Sequence, residues 1–96
     1  PAPDHTAGEF DALLTAIRRR IRGTDLTLSV HRTLAELRVS RGEHRLTAWL
    51  LPDGSVMMVV KTEGQLTMSH PGPVTAEGVE PWASKVAEFI VRQLRE

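Results

Sequence analysis

The sequence predicts a two-layer α+β domain: an N-terminal helix, an antiparallel meander of four to five strands, and a C-terminal helix. Two observations carry this. Apolar residues recur with helical spacing at both ends of the chain, and between residues 25 and 70 they alternate with period two, interrupted by glycine-containing turns. The 96-residue length suits one core and leaves no room for two. A composition of 41% apolar and 25% charged residues is that of a globular chain, not of a disordered or fibrous one.

Residues 1–5 read as a flexible tail and residues 6–96 as the domain. Thr6-Ala-Gly-Glu9 has the form of a capping box, in which the threonine hydroxyl and the glutamate satisfy first-turn N–H groups. Phe10, Leu13, Leu14, Ile17 and Ile21 then lie along one stripe of a helix. Arginines at 18, 19, 20 and 22 suit the negative end of its dipole, and Gly23 suits a left-handed cap.

From Asp25 the period changes. Leu26, Leu28 and Val30 alternate with Thr27, Ser29 and His31, and a second run places Ala35, Leu37 and Val39 against Glu36, Arg38 and Ser40. With no turn signal between the runs, a bend or bulge is expected near Arg32-Thr33. Arg41-Gly42 turns the chain, and His44 to Leu51 is a strand. Pro52-Asp-Gly54 is a hairpin signal, because proline presets the first turn dihedral and glycine accepts a positive one. Ser55 to Lys61 returns, Glu63-Gly64 turns, and Gln65 to His70 is the last strand. Pro81 fits the first turn of a closing helix whose buried stripe is Trp82, Val86, Phe89, Ile90 and Leu94.

The strands on either side of Pro52-Asp-Gly54 break the usual alternation. Leu46, Ala48 and Leu50 face Val56, Met58 and Val60 on one side of the sheet, while Trp49 and Leu51 face Met57 and Val59 on the other. Two helices cover one face of such a sheet. Leaving the second apolar set in water forgoes about 1.5–3 kcal/mol per side chain, against a total stability of about 5–15 kcal/mol. Four covers suit that face: a second copy packed sheet to sheet, one helix on each face, a sheet curled on itself, or a ligand or protein partner. The second copy is the leading expectation, which makes Trp49, Leu51, Met57 and Val59 the dimer or partner face.

The chemistry-bearing residues are sparse. There is no cysteine, so disulfides, thiolate metal sites and thiol nucleophiles are excluded. His5, His31, His44 and His70 lack metal-ligand spacing, although pairing of their strands could bring His31 and His44 together. No GxSxG, GxGxxG or Walker loop occurs. Glu36 and Glu43 read as a solvated strand edge facing Arg38, Arg41 or Arg45. Pro1, a potential base through its free nitrogen, lies in the tail. No catalytic residue, metal or cofactor is therefore assigned. The longest apolar run, Val56 to Val60, is far short of the ~20 residues of a membrane span. With no leader pattern at residues 1–5, the expected location is the cytoplasm.

Twelve basic and twelve acidic residues cancel. Eight arginines nevertheless lie between positions 18 and 45. Arg18 and Arg22 share a helix face while Arg19 points elsewhere, giving a candidate anion or nucleic-acid contact at Arg18, Arg19 and Arg22. The expected function is a non-catalytic, homodimeric interaction module. The alternative is a nucleic-acid-binding regulator that uses the arginine-rich helix ends of the dimer.

Overall fold

The computed structural model describes residues 3–61, 64–70 and 78–95. Helix α1 (Pro3–Ile21) leads into a meander of β1 (Thr27–His31), β2 (Glu36–Arg41), β3 (His44–Leu50), β4 (Val56–Lys61) and β5 (Gln65–His70), and α2 (Val79–Arg95) closes the chain. The strands form one antiparallel sheet in the order β1-β2-β3-β4-β5. The expected α+β class is the observed one, with five strands.

Helix α1 begins at Pro3, so it takes in residues 3–5 and runs through the expected capping box. Proline suits this first turn because its missing N–H is one that a helix start leaves unpaired anyway. Glu9, read from sequence as a capping residue, is buried at 1% exposure instead. The other end is as expected. Gly23 has φ +78°, and Thr24 donates both its N–H (2.9 Å) and its hydroxyl (2.6 Å) to the Ile21 carbonyl. The helix stops there because a left-handed residue with an outside donor satisfies the last turn.

The expected bend near Arg32-Thr33 is a 3₁₀ turn, Arg32–Leu34, which converts one long run into the β1–β2 hairpin. Ala35 closes it at φ +50°, with its N–H donated to the Arg32 carbonyl and its own carbonyl accepting from Leu50 N–H. Strand β3 ends at Leu50, one residue earlier than expected. Leu51 instead opens a turn in which its carbonyl accepts from Gly54 N–H at 2.8 Å. Gly54 takes φ +88°, as a glycine there permits, and Asp53 Oδ1 accepts from both the N–H and the hydroxyl of Ser55. The Ser55 hydroxyl holds the Asp53 carboxyl below its ordinary pKa.

Both helices lie on one face of the sheet. The core is Phe10, Leu13, Leu14 and Ile17 of α1, the Trp82, Val86, Ile90 and Leu94 stripe of α2, and one row from each central strand. Those rows are Leu37 and Val39, then Leu46, Ala48 and Leu50, then Val56, Met58 and Val60. Their register puts Val39 beside Leu46 and Leu46 beside Val60, one continuous apolar surface. Arg41 fastens this layer at one end: Nε donates to Asp25 Oδ2 at 3.0 Å and Nη1 to the Leu94 carbonyl at 3.3 Å, at the end of α2. That guanidinium also lowers the Asp25 pKa. With both helices on the inner face, the arrangement with one helix on each face does not occur.

Candidate functional site: the uncovered sheet face

The register fixes the outer face as three rows running across the sheet. The first is His31, Glu36, Trp49, Met57 and Ser69; the second Ser29, Arg38, Thr47, Val59 and Thr67; the third Thr27, Ser40, Arg45, Lys61 and Gln65. Three of the four residues expected to share this face, Trp49, Met57 and Val59, do so. Leu51 lies just past the strand, in the turn, and lines the same edge.

The first row forms an apolar end. Trp49 and Met57 join Leu34, Ala35, Leu51 and Pro52 around a shallow depression of about 560 Å³. Leu34 is 57% exposed and Met57 is 37% exposed, so large apolar surface is open to water here. The indole is fixed in place: Trp49 Nε1 donates to Glu36 Oε1 at 2.9 Å across the β2–β3 ladder. Glu36 Oε2 lies 3.7 Å from Arg38 Nη2. Glu36 therefore faces Arg38, as expected, but it is half-buried and anchors Trp49 rather than lying on a solvated edge. No sequence signal identified this pair, because the partner of a strand residue depends on register.

The third row forms a cationic end. Arg45 sits directly opposite Lys61, and Arg38 is diagonal to Arg45. Like charges placed opposite one another in a ladder repel. Among the described residues neither Arg45 nor Lys61 makes an ion pair, and the single acidic side chain on this face is Glu36. A neutral chain thus presents a basic outer face.

The remaining expected sites are not assembled. His31 pairs with Glu36 and His44 with Arg41, at opposite ends of β2 and on opposite faces of the sheet, so they do not come together. Among the described residues no group of three or more His, Cys, Asp or Glu side chains is placed to hold a metal. Arg18, Arg19 and Arg20 are all exposed in the last turn of α1, and Arg20 donates to Ser84 Oγ of α2 at 2.8 Å. Pro1 and residues 71–77 lie outside the described residues. Among the described residues no helix is long and apolar enough to cross a membrane.

No family model, curated protein or solved structure matches the chain.

Proposed function

We infer that this domain is a non-catalytic binding module that works as a homodimer through the uncovered face of its sheet. One observation carries the reading. Among the described residues, the apolar end, with Leu34, Trp49, Leu51 and Met57, has no helix over it, although exposing so much apolar surface is costly. A second copy is the occupant that suits it, because a two-fold axis through that end brings the two apolar patches together and keeps the two cationic ends far apart. Packing the full faces on each other would instead bring Arg38, Arg45 and Lys61 of both copies into one contact. The charge layout therefore favours an offset contact.

Sedimentation across a range of concentrations tests this. The parent is expected to pass from monomer to dimer on concentration, and Leu34→Glu or Met57→Lys to remain folded and monomeric, since each places a charge in a dry contact. A parent that stays monomeric at the highest concentration ends the homodimer reading.

A further inference from the structure

The geometry points to the cationic end of the outer face as a binding site for single-stranded nucleic acid, with one base stacked on Trp49 and the backbone phosphates held by Arg38, Arg45 and Lys61. This rests on the reading that the uncovered face is the working surface, and it names the partner class. Trp49 is the wall between two depressions. One side meets the apolar end, and the other meets a shallow cleft of about 300 Å³ lined by Arg38, Arg45, Thr47, Val59, Lys61 and Gln65.

An aromatic ring beside a cluster of cations on an open sheet is what sequence-tolerant single-strand binding requires. Bases supply a π face for the ring, and phosphates supply the charge that the cluster lacks. Three features of this chain favour it. Arg45 and Lys61 face each other unpaired among the described residues, so an anion between them relieves their repulsion. The Glu36 contact holds the indole in one orientation, so little side-chain freedom is lost on stacking. The neighbouring outer-face positions, Thr47, Thr67 and Gln65, are uncharged hydrogen-bonding groups that suit sugars and base edges. An acidic protein segment also offers charge, but its carboxylates bring no π face to the indole. A sequence count of one aromatic in the meander argues against an extended stacking platform. It does not argue against a short one.

Titration of the full chain with a short oligothymidylate, followed by tryptophan fluorescence, tests the site. Trp82 is 4% exposed and out of reach, so quenching reports Trp49. Binding at about 20 mM salt is expected, with log K falling against log salt at a slope of about −2, because each single-strand phosphate contact contributes about −0.7. Arg45→Gln with Lys61→Gln should weaken binding at least about tenfold and cut the slope to about −0.7. Trp49→Phe should keep most of the affinity and lose the quenching, while Trp49→Ala should lose about tenfold. Far-UV dichroism of each variant confirms that it is folded.

Four outcomes overturn the proposal. They are no binding at low salt, an affinity untouched by the Arg45/Lys61 change, binding abolished by Arg18→Ala with Arg22→Ala instead, or polyglutamate displacing the oligonucleotide at equal charge. The third assigns the contact to the helix end and the fourth to an acidic protein segment. The site lies within one copy. A monomeric parent that binds would therefore end the homodimer reading and leave this proposal standing.

Discussion

Met57 and Met58 are neighbours of the same type on opposite faces of β4, so truncating each in turn measures what the helix layer contributes. Met58 has 0% exposure and stands between Ala48 and Met68 in the ladder, under the helices. Met58→Ala removes a fully buried side chain and leaves a cavity that a close-packed core relaxes into only partly. The expected loss is about 2–5 kcal/mol. Met57 is 37% exposed on the outer face. Its truncation forfeits only the transfer free energy of the part its neighbours cover, about 1–2 kcal/mol, and leaves no closed cavity. Urea denaturation at low protein concentration reads both, as shifts in midpoint at constant slope. Repeating it at high concentration tests the proposed dimer. The Met57→Ala loss should grow with concentration, because association stabilises only the folded parent, whereas the Met58→Ala loss should change little. Equal losses from the two variants at low concentration would refute the assignment of the faces. A Met57→Ala loss that is the same at every concentration would refute a contact through Met57.

Further expectations concern the turns and the packing. Gly54→Val should lower stability by about 1–3 kcal/mol in thermal or urea unfolding, since a β-branched residue is strained at φ +88°. Asp53 has its carboxyl pKa held down in the folded state by Ser55, so the unfolded state binds the proton more readily. Its contribution is present above the ordinary carboxylate pKa of about 3.9 and is lost as pH falls through the depressed folded value, and Asp53→Asn should flatten that acid limb of a stability–pH curve. Ala48→Leu should destabilise by about 1–3 kcal/mol by overpacking, because Ala48 is fully enclosed between Leu37 and Met58 beneath the helices. Arg41→Ala should speed amide exchange in the last turn of α2, where the guanidinium reaches the Leu94 carbonyl.

The order of elements is set by local features of the chain, and these can be read without the fold. The stripe from Phe10 to Ile17, the alternation from Leu26 onward, Gly23 at the end of α1 and Gly54 in the hairpin each depend on residues only a few positions apart. Backbone geometry converts such spacing directly into helix, strand or turn. Even here the two ends of the long alternating run show the limit. The break in the alternation marks a bend near Arg32-Thr33, but nothing between residues 26 and 40 gives its type, because no glycine or proline punctuates it and Ala35 takes the left-handed conformation instead.

Which apolar set of β3 and β4 the helices cover is a long-range matter. Leu46, Ala48 and Leu50 win over Trp49 because their row continues through Leu37 and Val39 on β2 and Val56, Met58 and Val60 on β4. The apolar stretch of Trp49 and Met57 is bounded by Glu36 and Ser69, and the rows beside it carry Arg38, Arg45 and Lys61. Two helices bury the more continuous surface, since the gain scales with apolar area removed from water. The tertiary structure likewise decided that Glu36 meets Trp49 and that Arg45 faces Lys61. Sequence separations of 13 and 16 residues carry no such information until register is fixed, and register follows from the face that is buried. The sequence by itself determined what the chain can form locally. The choice of covered face, and with it the basic and apolar ends of the open one, belongs to the packing.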